Sequence, residues 1–267
     1  MPFLRRRFMP LLFAVALVLP AAVPAAASTD SAVASAESAA LTYANDKRTS
    51  KGLRPLRLDT RLQTIAHDRA VTMASEDELN HKQADGNSAS TLMDQAGIKR
   101  YGAGEIIAFN YPSNYTTSAK TAIQQWIDSS GHYAILMSAN YNYVAFGMAV
   151  SPDSGRRYWA GVFIKGPDRT PAWVKQYAPV KQYYTSTRSR VTFRWAGADT
   201  LLQVLTSGLR SYEIARRTDD GAWVSYPATR GTSVTTTWAR GHTYQFRVRA
   251  LDWAGNWSGW RTVTVTL

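Results

Sequence analysis

Apolar and polar positions between Ser118 and Leu136 recur with the period of a helix. Ala119, Ala122, Ile123, Trp126 and Ile127 fall at i, i+3, i+4, i+7 and i+8, with Lys120, Gln124 and Asp128 on the opposite side. The spacing predicts an amphipathic helix capped by Thr117 or Ser118 and ended by Gly131, which enters a left-handed C-cap without strain. His132 then falls just past a helix terminus, held by the packing of Trp126 and able to point into a cleft.

The same period predicts a helix through Leu41, Tyr43 and Ala44 that carries Asn45 and Arg48 and stops near Gly52. Asp59 is a good N-cap for a second helix, in which Leu62, Ile65, Ala66, Arg69, Ala70 and Met73 share one stripe. His67 and Asp68 fall off that stripe and read as solvent-facing. A solvated helix end at Glu76-Asp77-Glu78 leads to Leu79-Asn80-His81. A short helix over 91–96 is closed by Gly97. Glycines at 102 and 104 then bring the backbone close to a neighbour, and Glu105 opens an apolar strand. Tyr143 to Val150 pairs with Tyr158 to Ile164 as a hairpin, turned by Ser151-Pro-Asp-Ser-Gly155.

A breaker cluster at 166–171, with Pro179 beyond it, reads as a semi-rigid linker over 166–187. From Arg188 the period becomes two. Val191, Phe193 and Trp195 alternate, Ser211 to Arg217 runs to a turn at Asp219-Asp220-Gly221, and 232–238 and 244–250 add strands. Short strands with frequent turns predict a β-sandwich.

Charge and processing signals divide the chain further. Arg5 to Arg7 precede a short apolar run over 9–19 and the small residues Ala25 to Ala27, the pattern of a secretory signal over 1–27 cleaved near Ala27. No other stretch is apolar and long enough to span a bilayer. Residues 28–38 are small and polar and read as a disordered leader. The chain has no cysteine, which excludes thiolate metal sites and cysteine nucleophiles and, in an exported protein, points to a bacterial source held by packing alone. Its formal charge of +12 is uneven. Residues 28–165 hold 14 basic and 13 acidic side chains, whereas 188–267 hold 11 arginines, no lysine and five acids. For an exported protein this points to anionic wall polymers or lipid headgroups rather than nucleic acid. A solvated face with no partner is the alternative.

Together the first set of elements resembles a CAP domain (the cysteine-rich secretory protein, antigen 5 and pathogenesis-related 1 superfamily). The resemblance rests on Asn45-x-x-Arg48, Gly52-Leu53-x-Pro55-Leu56, His81, Gly104-Glu105-x-Ile107-Ala108, Trp126-x-x-Ser129-x-Gly131-His132 and the hairpin with Tyr158-Trp159. It implies an α-β-α sandwich over 39–165 with a central cleft. In that cleft it aligns His81, Glu105 and His132 with three of the family's two histidines and two acids. The fourth position is Ser129, which is no carboxylate, and the family's Gly-Glu-Asn is Gly-Glu-Ile here. His81 and His132 are then candidate zinc ligands, with Glu105 a third ligand or a general base. Equally, the trio is a hydrogen-bonded network that fixes the fold.

Trp195, Tyr212, Trp223 and the Tyr244-x-Phe-x-Val-x-Ala run, ending in Asp252-x-Ala-Gly-Asn-x-Ser258, resemble a fibronectin type III domain over 188–267. Trp253, Trp257 and Trp260 read as closing its core rather than as a platform for sugars. The expectation is an α+β chain, a CAP-type sandwich followed by an all-β one, exported and without a transmembrane segment. Its role is non-enzymatic binding of a lipid or other small hydrophobic ligand, an anionic wall polymer or a protein partner. The alternatives are a metal-assisted hydrolase with Glu105 as base, and a structural adhesion protein of the wall matrix.

Overall fold

The structure, a computed structural model, describes the backbone of residues 25–267 and side chains from residue 31. All but the last three residues of the expected signal segment lie outside the described residues. Among the described residues no helix is long and apolar enough to cross a membrane.

The first unit is mixed α/β. Four strands, β1 (Arg57–Leu58), β2 (Gly102–Asn110), β3 (Tyr143–Val150) and β4 (Arg157–Lys165), form a sheet in the order β1-β3-β4-β2. The predicted hairpin pairs antiparallel from Tyr143↔Ile164 to Val150↔Arg157. One face is covered by α1 (Ala25–Ser50) and α4 (Tyr115–Asp128), which enclose Trp126, Phe146, Trp159 and Phe163. The other carries α2 (Thr60–Glu76) and the short α3 (Ala89–Gln95). All six residues of the stripe predicted for α2 are buried, and Asp59 caps it by accepting from the Arg61 amide.

Three expectations for this unit are corrected. The leader expected over 28–38 is helical, part of α1, because its alanines favour the helix and Val33, Ala36, Ala40 and Ala44 repeat along one buried side. Glu37 fastens it by accepting from the Met148 amide at 3.0 Å and from Gln63 Nε2 at 2.8 Å. The cap of α4 is Asn114, whose side chain accepts from the Thr117 amide at 2.9 Å. Ser118 is instead buried, donating to Asn110 Oδ1 and accepting from Trp159 Nε1. Gly131 does not end that helix. Ser129, in an extended conformation, breaks the chain there and α5 (Ser130–Leu136) begins, so His132 sits within its first turn.

The second unit is two packed sheets. One orders β10 (Ser233–Ala239), β7 (Arg188–Ala198) and β5 (Trp173–Gln176), with β6 (Val180–Tyr183) also on β7. The other orders β12 (Arg261–Thr266), β11 (Thr243–Asp252), β8 (Leu209–Thr218) and β9 (Val224–Ser225). Phe193, Trp195, Tyr212, Phe246 and Val248 fill the space between them.

The segment expected as a linker over 166–187 is therefore not a spacer. It supplies β5 and β6, and Ala172 and Val174 enter the sandwich core because they alternate with the exposed Trp173 and Lys175. Nor do the late tryptophans close the core. Trp253 and Trp257 are exposed, and Trp257 and Trp260 stack on the Arg249 guanidinium at 4.1 and 4.6 Å. They follow the last inward residue of β11, past the point where alternation directs side chains inside.

The two units share packing. Leu202, in the β7–β8 connection, is buried among Tyr143, Ile164 and Ile98 of the first. Asn142 is fully buried and exchanges hydrogen bonds with both backbone groups of Gly166, at 2.8 Å each, while also donating to the Val204 carbonyl.

The tightest approach between layers lies at Gly147, where a Cβ would stand 2.1 Å from the backbone of Ala66 in α2. Backbone cannot rotate away, so the helix would have to lift off β3. Gly147→Ala is expected to destabilise the protein by about 3 kcal/mol or more, read as a drop in the urea midpoint. The same change at Gly131, where nothing lies within 4 Å of a Cβ, leaves the midpoint nearly unchanged.

Candidate functional site

The cleft of the first unit lies where β2, the edge strand, meets α4 and α5. Trp126 is fully buried and its indole donates to the Ile107 carbonyl at 3.1 Å, while Gln125 Nε2 donates to the Phe109 carbonyl at 3.0 Å. These bonds clamp the helix along the strand's free edge. Arg48, also fully buried, donates to the carbonyls of Leu136 and Ser138 and so holds the far end of α5. The chain between Trp126 and His132 is thus fixed at both ends.

Glu105 stands at the centre of the polar side of the site. Its Oε1 accepts from Arg69 Nε at 2.7 Å and its Oε2 bonds His81 Nδ1 at 2.7 Å. A carboxylate only accepts, so Nδ1 carries the proton and, in the neutral ring, Nε2 is left with the lone pair. Arg69 has no access to solvent and also donates to the Asn80 carbonyl at 2.6 Å, which fastens the loop that presents His81. His81 itself is more than half exposed.

His132 and Ser129 line an adjoining groove of about 550 Å³ with Leu79, Ile107, Phe109 and Trp126. Burial and then the nearby His81 hold the His132 imidazole below its ordinary value. The Ser129 side chain makes no capping bond and carries no charge, so nothing acidic fills the fourth position.

Zinc fits this arrangement poorly. Both oxygens of Glu105 are engaged, and the guanidinium beside them repels a cation. Among the described residues, the trio whose ligand atoms all lie within 4.8 Å of one another is Asp168, Asp199 and Asp252, in the second unit, and not the cleft trio. Those carboxylates accept from backbone and side-chain donors of the surrounding loops, the Ser207 amide on Asp168, the Gly208 amide on Asp199 and the Asn256 amide on Asp252.

Arg69 is the residue that sequence reasoning passed over. It was placed on the apolar stripe of α2 as a core position, and that placement was the available signal. A cation on a buried stripe requires a buried acceptor.

Residues 41–163, which carry all four cleft positions, match the CAP family, described as the cysteine-rich secretory protein family. The match supports a CAP domain over that span. Over 125 residues the chain is 25% identical to the uncharacterized membrane protein YlbC of Bacillus subtilis (strain 168), covering 47% of this chain and 33% of that one. It spans about a third of that curated relative's length. Among solved structures, an extracellular protein containing a SCP domain from Bacillus anthracis str. Ames is similar at 17% identity and a TM-score of 0.45, covering 55% of this chain and 45% of that one. An outer surface protein of Borrelia burgdorferi is similar at 15% identity and a TM-score of 0.42, covering 47% and 89%.

The depressed His132 value has a consequence for stability. The folded state binds this proton less well than the unfolded chain does. The contribution is complete above the unfolded value of about 6.5 and is lost as pH falls through the window between that and the lower folded value. Melting temperatures at pH 7.5 and pH 5 are expected to diverge more for the native protein than for His132→Gln.

Proposed function

We propose that the chain is an exported protein whose CAP-type cleft binds an amphipathic small molecule, with its apolar body in the groove and its polar end beside His81 and His132. The observation that carries this reading is the state of Glu105. With one oxygen on the buried Arg69 and the other on His81, and with its side chain only 9% exposed, it reads as a fastening of helix, strand and loop more readily than as a base. The groove beside it is walled by Leu79, Ile107, Phe109 and Trp126, which suits a lipid or other small hydrophobic ligand. The hydrolase alternative would require Glu105 to exchange its bond to Arg69 or to His81 for one to a metal or a water.

The second unit, read as fibronectin type III-like, adds no catalytic group to this picture. Its arginine excess supports retention near an anionic surface such as a wall polymer. A protein partner adding to the β2 edge is disfavoured, because the Ile107 and Phe109 carbonyls on that edge already accept from Trp126 and Gln125.

Displacement of a fluorescent polyene fatty acid tests the cleft. The native protein is expected to bind it, and Ser129→Phe, which fills the groove at a position with no side-chain bond of its own, is expected to weaken binding by about tenfold or more without lowering the melting temperature. Unchanged binding in that variant removes the groove from consideration. Zinc calorimetry tests the rival. No micromolar binding is expected, and tight binding abolished by both His81→Ala and His132→Ala would restore the metal reading.

A further inference from the structure

A groove of about 800 Å³ lies outside the cleft, at the junction of the two units. One wall comes from the α1–α2 connection, with Arg54 and Arg57. The other comes from β5 and the β7–β8 connection, with Trp173, Leu201 and Leu209. Trp173 is 48% exposed and makes no ring or cation contact with an aromatic neighbour among the described residues apart from its place in the wall. Gly208 joins the groove to a rim. A Cβ there would stand 3.7 Å from Trp253, and the Trp253 amide donates to the Gly208 carbonyl. Over Trp253, which is 57% exposed, stand the guanidinium groups of Arg210 at 5.4 Å and Arg230 at 5.5 Å.

These four arginines are all exposed, and none forms an ion pair among the described residues. Among the described residues, exposed arginines without an ion pair also occur elsewhere on the second unit, at Arg188, Arg190, Arg194, Arg240 and Arg261, whereas others are paired. Arg61 and Arg169 share Asp59, Arg249 is held by Glu213, and Arg217 faces Asp220. The one acid lining the groove is Asp199, which is buried and accepts from the Thr200 and Gly208 amides and the Ser207 hydroxyl. Stacking on Trp253 fixes Arg210 and Arg230 before any ligand arrives, which reduces the side-chain entropy lost on binding. An open indole face beside unpaired guanidinium groups combines an apolar surface for the C–H face of a sugar ring with donors for carboxylate or phosphate oxygens.

We propose that this junction groove is a binding site for an anionic glycan, a sugar chain bearing carboxylate or phosphate groups, with Trp173 as the stacking platform and Arg54, Arg57, Arg210 and Arg230 as its anion contacts. The assignment deepens the surface-retention half of the proposed function and rests on export for the choice of glycan over nucleic acid. It is independent of the cleft. It also gives the exposed Trp253 a task that closing a core would not.

The test is titration of the full mature chain with polygalacturonate and, as the phosphate-bearing arm, a glycerol-phosphate polymer carrying sugar substituents. Neutral dextran, polyphosphate and single-stranded oligothymidylate serve as controls. Binding to at least one charged glycan that quenches tryptophan fluorescence and weakens as salt is raised is expected. The arm that binds names the anion. Arg54→Gln/Arg57→Gln and, separately, Trp173→Ala are each expected to reduce affinity by about tenfold or more with melting temperature preserved. Ser129→Phe is expected to bind the glycan as the native protein does, so a failure of the cleft reading shows in the fatty-acid assay alone. Unchanged affinity in either groove variant overturns the site. Equal affinity for polyphosphate or the oligonucleotide overturns the glycan assignment, as does no binding to either charged polymer.

Discussion

A guanidinium with no contact with water must find its acceptors inside the protein, and the cleft is built around that requirement. Arg69 leaves α2 on the side that faces the sheet, where its neighbours Ile65, Ala66 and Met73 are buried with it. It takes one oxygen of Glu105 on β2 and the carbonyl of Asn80 in the loop after α2. The pair ties helix, strand and loop to one point. Removing either partner would leave a buried charge uncompensated, a far greater cost than loss of a surface pair. The same bond aligns the second Glu105 oxygen with His81 and thereby decides what the site offers to a ligand.

A second constraint acts between the units. Asn142 satisfies both backbone groups of Gly166, and Leu202 crosses from the β-sandwich into the first unit's core. Arg169, just beyond Gly166, reaches back to Asp59 at 2.7 Å, the residue that caps α2. A chain fastened in this way is one packed body across the junction rather than two units on a tether. The junction groove follows from that packing, since its walls belong to different units and exist only when both are held in register.

The two surfaces differ in physical character. Both grooves are mainly apolar, but in the cleft Glu105 is paired with Arg69 and His81, whereas the junction groove carries the guanidinium groups of Arg54 and Arg57 without acidic partners among the described residues.

Much of this was legible in the order of residues. The period of 3.6 located α2 and the period of two the strands of the sandwich, because each buries one face. By contrast, β2 and the β3–β4 hairpin showed as continuous apolar runs buried on both faces. The Asp59 cap was equally local. What escaped were features whose cause lies elsewhere in the chain. Residues 28–38 read as a leader because small and polar residues dominate them; their alanines favour a helix, and packing of Ala36 and Ala40 in the core of the first unit holds it. The 166–187 segment looked like a spacer because its prolines dominate, yet β7 begins at the next residue and both β5 and β6 fold back onto it. The late tryptophans looked like core because their size favours burial, but the sandwich was already filled by Phe193, Trp195 and Phe246. For the cleft, sequence nominated His81, Glu105, Ser129 and His132. That Glu105 is held by Arg69 and His81, and is thereby a fastening, is a property of three segments meeting in space. Local pattern determines elements and nominates side chains; the partners of a buried charge, and so its chemistry, are decided only when the elements pack.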